Sequence, residues 1–328
     1  MKTAWLFPGQ GAQEVGMGKA LAAASPAAAS IFQRADAALG DSISKLCFEG
    51  PMEELTLTAN TQPAIVATSS ALVAALRERV PNLPEPAFTA GHSLGEYSAL
   101  VAAGALDLED AVKLCRLRGT AMQDAVPPGD GAMAAIMGLN EEALRALCDE
   151  AAEGEIVAPA NFNAPGQIVI AGHAGAVARL QALVSARGGK AIALKVSAPF
   201  HCALMRPAAS RLELELERVT IHPLAFPVVA NVDGQPNRDE GRVRELLIRQ
   251  IDGPVQWVRS VERMAEEGVT HALEIGPGKV LAGLVKRISK SIQVLSVNDE
   301  ASIARVSEFL ALGSAPPAPA STPTTTEA

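Results

Sequence analysis

The sequence predicts an α/β fold built on a parallel sheet, with a smaller βαββαβ unit set into it. Three observations carry that reading. Short apolar runs each feed a glycine-bearing turn and then a helix, the rhythm of a parallel sheet with helical crossovers. Between about 131 and 196 the rhythm becomes strand, helix, two strands, helix, strand, the order of the split ferredoxin-like unit. From Leu312 onward the chain is Ala, Pro and Thr, which cannot bury a core. Residues 1–130 and 197–311 are therefore expected to form a large discontinuous domain, 131–196 a small one, and 312–328 a disordered tail.

The elements follow in order. Lys2 to Phe7 is a short apolar strand that runs into the turn Pro8-Gly9-Gln10-Gly11-Ala12-Gln13. Gly16 to Leu39 is Ala-rich and helical. Thr61-Gln62-Pro63 reads as the opening of the next helix, with Thr or Gln at the cap and Pro63 in the first turn, and that helix runs to Arg79. After Pro81, Pro84 and Pro86 come a strand (Ala87–Ala90), a turn at His92-Ser93, and a helix (Leu94–Ala103). The small unit has strands at Ala132–Gly138, Ile156–Asn161, Gln167–Ala171 and Lys190–Val196. Its helices start at an Asn140 N-cap and at Gly175. The larger pattern resumes with strands at Pro227–Asn231, His271–Ile275 and Ile292–Val297, and with a helix over Val280–Ile288 behind Gly276-Pro277-Gly278.

Composition narrows the function classes. The 328 residues are 48% apolar and 20% charged, enough to bury a large core, and with 3% aromatics that core is mostly Ala, Val, Leu and Ile. A net charge of -8 argues against nucleic acid as a partner. The four cysteines form no CxxC and no Cys/His cluster with zinc spacing, so free thiols in a reducing cytoplasm are expected and no metal. The N-terminal strand breaks at Pro8, too early for a signal peptide, and no apolar run reaches the roughly 20 residues of a membrane span. The expectation is a soluble cytoplasmic protein with no membrane association.

The chemistry centres on Gly91-His92-Ser93-Leu94-Gly95, a Gly-x-Ser-x-Gly between strand and helix. Flanking glycines allow a tight turn that lifts the serine oxygen clear of the sheet. The helix that follows aims free N–H groups at the same spot, where the Leu94 amide would meet an oxyanion. A serine nucleophile needs a base, and the histidines are His92, His173, His201, His222 and His271. His92 is adjacent to Ser93, so their side chains diverge. His201, behind Pro199-Phe200, lies where the chain leaves the small unit, at the seam expected to hold a cleft. Asp124, Asp130 and Asp149 are available as a third member, none of them in a distinctive motif.

Six short motifs recur in a telling order: FPGQGAQ (Phe7–Gln13), TQPA (Thr61–Ala64), GHSLGEY (Gly91–Tyr97), Arg118-Gly119, Pro199-Phe200-His201 and GPGK (Gly276–Lys279). With them the chain, from residue 4 to about 311, resembles malonyl-CoA:acyl carrier protein transacylases and the acyltransferase domains of polyketide synthases. The resemblance implies an α/β-hydrolase-like large domain with a ferredoxin-like small one. It implies Ser93 as nucleophile, His201 as base, and the Gln250 carbonyl as the group that orients the histidine, with no acidic third member. Gln10 and Leu94 would supply the oxyanion-hole amides, and Arg118 would clamp the substrate carboxylate. Gln62, Met122, Asn161, Phe200 and Val280 are further pocket candidates, and the exposed end of a helix is the competing reading of Gln250. Leu94 and Phe200 fit the pattern of malonyl-selecting members. The resemblance also implies malonyl-CoA as substrate, an acyl carrier protein as partner, a monomer and no cofactor. Carrier docking would use a basic patch, either Lys286-Arg287 with Lys290 or Arg187 with Lys190 and Lys195. The competing functions are a serine hydrolase or thioesterase that releases the acyl group to water, an acyltransferase of a polyketide assembly line with a different acyl-CoA, and a non-catalytic binder.

Overall fold

The computed structural model describes residues 1–312. Strand β1 (Lys2–Phe7) is followed by helices α1 (Lys19–Ala24), α2 (Pro26–Leu39), α3 (Ile43–Glu49), α4 (Met52–Thr56) and α5 (Thr58–Arg79). Strand β2 (Phe88–Gly91) leads to α6 (Gly95–Ala102) and α7 (Leu108–Asp124). Then come β3 (Gly131–Met137), α8 (Glu141–Ala152), β4 (Val157–Ala164), β5 (Gln167–His173), α9 (Ala174–Ala186) and β6 (Lys190–Ala193). The chain continues with α10 (Arg206–Leu216), β7 (Val228–Val229), β8 (Pro236–Asn237), α11 (Glu240–Asp252) and α12 (Trp257–Glu266). It ends with β9 (Val269–Ile275), α13 (Val280–Ile288), β10 (Gln293–Val297), α14 (Glu300–Ala304) and α15 (Val306–Phe309).

Two sheets result. The first has the order β10-β9-β1-β2-β7-β8 and is parallel except for β8. The second has the order β4-β5-β3-β6 and is antiparallel throughout. Strand β1 explains why the first sheet reads as continuous apolar runs. Successive side chains point to opposite faces, and both faces are covered. Trp5 and Phe7 enter the core built with α2, α5, α6 and α7, while Ala4 and Leu6 enter the one built with α12 and α13.

Helix α5 is buried nearly all round and is the centre of its layer. Its small side chains let α7 approach closely. A Cβ on Gly119 of α7 would lie 2.5 Å from the Thr58 carbonyl oxygen, so only glycine fits at this crossing.

Several sequence-based boundaries are corrected. The segment 16–39 is two helices, because Ser25 ends α1 and caps α2 by accepting from the Ala28 N–H ahead of Pro26. Helix α5 begins at Thr58 rather than at Thr61-Gln62-Pro63, and Pro63 lies inside it. Burial of the extra turn overrides the first-turn preference of proline. Strand β6 stops at Ala193, three residues early, and β7 spans only two residues. Leu312, assigned to the tail, packs partly buried against the main core, and its N–H donates to the Ser307 carbonyl at 2.8 Å. The remainder of the tail lies outside the described residues. Among the described residues no helix is long and apolar enough to cross a membrane.

The α5–α7 crossing is testable. Gly119→Ala should lower the unfolding free energy by about 1–3 kcal/mol through overpacking, outweighing the ~1 kcal/mol that alanine gains in helix propensity. Urea denaturation followed by circular dichroism checks it.

Candidate active site

Strands β1 and β2 run side by side, with Phe7 opposite Gly91, and their turns meet beyond the same edge of the sheet. Three glycines permit the contact. A Cβ would lie 1.9 Å from the Gly95 carbonyl at Gly91, 2.3 Å from the Phe7 carbonyl oxygen at Gly95, and 2.6 Å from the His92 carbonyl oxygen at Gly9. Between them Ser93 sits at φ 53°, a strained left-handed conformation for a side chain with a Cβ. It is held there by its N–H, which donates to Asn231 Oδ1 at 2.7 Å.

His201 is likewise left-handed, at φ 60°, and is 3% exposed. Its Nε2 lies 2.7 Å from Ser93 Oγ, and its Nδ1 lies 2.9 Å from the Gln250 carbonyl oxygen. A carbonyl only accepts, so Nδ1 carries the proton and the Nε2 lone pair faces the serine hydroxyl. Burial, reinforced by the nearby Arg118 guanidinium, lowers the imidazole pKa to about 3. The ring is thus a neutral acceptor at physiological pH.

Arg118, on α7, is 1% exposed. It donates to Gln62 Oε1 at 2.8 Å, to Gln250 Oε1 at 2.9 Å and to Ser93 Oγ at 3.1 Å. Its guanidinium also stands 5.8 Å from the centre of the Tyr97 ring. Among the described residues no carboxylate comes within 4.0 Å of it, although surface arginines pair freely elsewhere. Gln250 is 0% exposed, so the exposed-end reading is overturned. Its side chain does as much as its carbonyl: Nε2 donates to the Ser93 carbonyl at 2.9 Å and to Glu96 Oε2 at 2.8 Å.

These groups open into a cavity of about 200 Å³ between the two sheets. Gln10, Gln62, Ser93, Leu94, Arg118, Met122, Asn161, Phe200 and His201 all line it. The backbone N–H groups of Gln10 and Leu94 make no hydrogen bond among the described residues and are free to donate. Gln250 stands just behind the wall. Val280 does not line the cavity. It is 52% exposed at the start of α13, whose next two N–H groups are taken up by the buried Glu274 carboxylate.

The sequence reading missed Met133, Asn163, Val169, Leu194 and Val196 in the lining, and Glu96 and Asn231 behind it. Of these only Glu96 carried a signal, its place in the GHSLGEY stretch. Of the histidines left open, His173, His222 and His271 lie away from the cavity, and His92 reaches Asn163 at 2.8 Å. Asp124 instead pairs with Arg211 at 3.0 Å. Among the basic residues, Arg287 is engaged by Gln167 and Arg187 by Glu150.

The family model described as the acyl transferase domain matches residues 4–308. The chain belongs to the acyl transferase domain family. This acyl transferase is 49% identical to the malonyl CoA-acyl carrier protein transacylase of Escherichia coli K12, over 93% of its own length and 99% of the relative. It is 48% identical to the enzyme of the same name from Bacillus subtilis, over 92% and 95%. Among solved structures it is similar to an acyl carrier protein S-malonyltransferase from Vibrio cholerae (TM-score 0.91, 46% identity, covering 93% of this chain and 100% of that one). It is also similar to a malonyl-transacylase in complex with its type II PKS acyl-carrier protein (TM-score 0.90, 46% identity, covering 94% and 99%).

The histidine geometry has a direct readout. Nitrogen-15 NMR of the imidazole should find His201 as the neutral Nδ1–H form throughout pH 8 to 5. Because its folded pKa is depressed, its stabilising contribution is full above the unfolded value of about 6.5 and declines as pH falls below that toward 3. An imidazolium signal at pH 6 would refute the assignment.

Proposed function

We propose that this protein transfers a malonyl group from malonyl-CoA to the phosphopantetheine thiol of an acyl carrier protein, through an ester on Ser93. One observation carries the substrate choice: a buried guanidinium without a carboxylate partner among the described residues, 3.1 Å from the Ser93 hydroxyl oxygen. Such a charge favours an acyl group that brings its own carboxylate, which a guanidinium grips through two parallel N–H···O bonds. The names of the relatives support the same assignment of donor and acceptor.

The steps follow from the geometry. His201 Nε2 takes the Ser93 proton while Oγ attacks the thioester carbon. The amide N–H groups of Gln10 and Leu94 hold the oxyanion. The C–S bond breaks, and CoA thiol leaves with the proton returned by His201. The carrier thiol then gives its proton to His201 and attacks the ester carbon; the C–Oγ bond breaks and His201 returns the proton to Ser93 Oγ, a ping-pong sequence. Every step is assigned to protein groups and the two thiols. Phe200 beside His201 fills the space an α-methyl substituent would need, which favours malonyl over its branched homologue. The product suits fatty-acid or polyketide synthesis.

We also read the first sheet with its helices as an α/β-hydrolase-like unit formed by 1–130 and 197–311, and 131–196 as an inserted ferredoxin-like unit. The second sheet's order and its separate apolar core with α8 and α9 support this.

Two measurements test the proposal. Intact mass after incubation with malonyl-CoA should gain one malonyl group in the wild type and none in Ser93→Ala. With carrier protein present the label should move to the carrier, and rapid release of free malonate without transfer would support the hydrolase reading instead. Arg118→Ala should reduce the preference for malonyl-CoA over acetyl-CoA by about 10²-fold or more, the size of a broken buried ion pair of ~3 kcal/mol. Unchanged selectivity would refute the clamp.

A further inference from the structure

Behind the cluster of Ser93, His201 and Arg118 lies a carboxylate that the transfer steps do not use. Glu96, in the first turn of α6, is 3% exposed. Among the described residues no Lys, Arg or His lies within ion-pair distance of it. Its Oε2 accepts the Asn231 N–H at 3.0 Å and Gln250 Nε2 at 2.8 Å.

These two residues reach every reacting group. Asn231 Oδ1 accepts the Ser93 N–H at 2.7 Å, and its Nδ2 donates to the Gly91 carbonyl at 2.6 Å. Gln250 donates to the Ser93 carbonyl at 2.9 Å, accepts from Arg118 at 2.9 Å, and accepts the His201 Nδ1–H through its main chain at 2.9 Å. A side-chain amide has a donor end and an acceptor end, whereas an ionised carboxylate only accepts. Glu96 thereby fixes the rotation of the Gln250 amide. Flipped, its oxygen would face the Glu96 carboxylate and the Ser93 carbonyl, and its NH₂ group would face the guanidinium.

We propose that ionised Glu96 is a positioning residue. By orienting Gln250 and Asn231 it aims Arg118 and holds the Ser93 turn, so acylation of Ser93 requires the carboxylate form. This rests on the reading that Ser93 is acylated.

Burial, the largest influence, raises the Glu96 pKa to about 7. Asp233 beyond β7 pushes the same way, and Asn231, Gln250 from α11 and Arg118 from α7 oppose it. His201, from the segment ahead of α10, is lowered to about 3, and His92, on the same turn as Ser93, is lowered by burial. Tyr97, the other ionisable neighbour on α6, is raised by burial. At this cluster, then, Glu96 is the group that titrates between pH 6 and 8. As pH falls through this range it gains a proton, becomes a donor and loses the charge that faces Arg118.

The test is the acylation half-reaction, followed by rapid quench and intact mass with malonyl-CoA from pH 5.5 to 8.5, which leaves out the carrier thiol. The wild-type rate should fall about tenfold from pH 8 to pH 6, the ratio of ionised fractions for one group titrating near 7. Glu96→Gln should be slower by about 10- to 100-fold at pH 8, the scale of a displaced reacting group. It should also lose the pH dependence while its Tm at pH 8 is not lowered. Glu96→Asp, which keeps a carboxylate, should retain the acid limb. A flat wild-type profile between pH 6 and 8, the same limb in Glu96→Gln, or a limb absent from Glu96→Asp overturns the proposal. Absence of any malonyl adduct on the wild type at pH 8 marks instead the failure of the Ser93 reading itself.

Discussion

The arrangement of the site depends on one uncompensated charge. Arg118 is withdrawn from water, yet among the described residues its hydrogen bonds go only to neutral oxygens, those of Gln62, Gln250 and Ser93. Taking an ion out of water is unfavourable by several kcal/mol, and neutral acceptors recover only part of that. A contacting Asp or Glu would recover more, but would occupy the place that the proposed substrate carboxylate needs. The fold leaves that place open and brings acceptors from α5 and α11 to α7 instead. The same charge helps to keep His201 neutral. Glu96 stands behind Gln250, which bonds both it and the guanidinium, so its carboxylate makes no contact with Arg118.

The second constraint is geometric. The turns after β1 and β2 touch backbone to backbone, which is possible only because positions 9, 91 and 95 lack a side chain. The contact leaves Ser93 in a left-handed conformation, and His201 shares it. Strain of this kind persists only where the surroundings over-determine it. Here Asn231 and Gln250 do so, gripping the Ser93 N–H and carbonyl from two sides. The proposed reacting pair is therefore held in place by buried polar groups that are themselves hydrogen-bonded on several sides, which favours one geometry.

This division explains what the sequence revealed. Locally encoded features were legible: the Gly-x-Ser-x-Gly turn, the short apolar strands and the Asn140 cap all announce themselves within a few residues. Ser93, His201 and Arg118 were legible through short motifs around them. The supports were not. Glu96 carried no signal beyond its place in the GHSLGEY stretch and otherwise reads as a surface charge that suits the helix dipole, and Asn231 follows a strand of only two residues. The Gln250 side chain was missed because nothing local distinguishes a buried amide near a helix end from an exposed one. The start of α5 was misread for the same reason, since tertiary burial outweighed the proline signal. By contrast, the spacing of Trp257, Val261 and Met264 on α12 was a readable apolar stripe that the strand-centred reading passed over.

The two sheets divide the work of recognition between them. The parallel sheet and its helices supply the polar floor of the cavity, where Ser93, His201 and Arg118 stand. The second sheet supplies much of the wall, through Met133, Asn161, Asn163 and Val169, and the linker out of it adds Leu194, Val196 and Phe200. The layers are fastened on one side by backbone bonds, Phe162 N–H to the Val255 carbonyl at 2.9 Å and Val255 N–H to the Ala160 carbonyl at 2.8 Å. The linker back out of the second sheet is bridged by Ser197 to Thr58 and through it to Gln10. The groups of the proposed chemistry thus stand on rigid elements, while the dimensions of the cavity are set by side chains on a separate sheet and a strand end. On the proposed function, changes in the wall can alter which acyl group fits without disturbing the charge, the histidine or the turn to which the transfer is assigned.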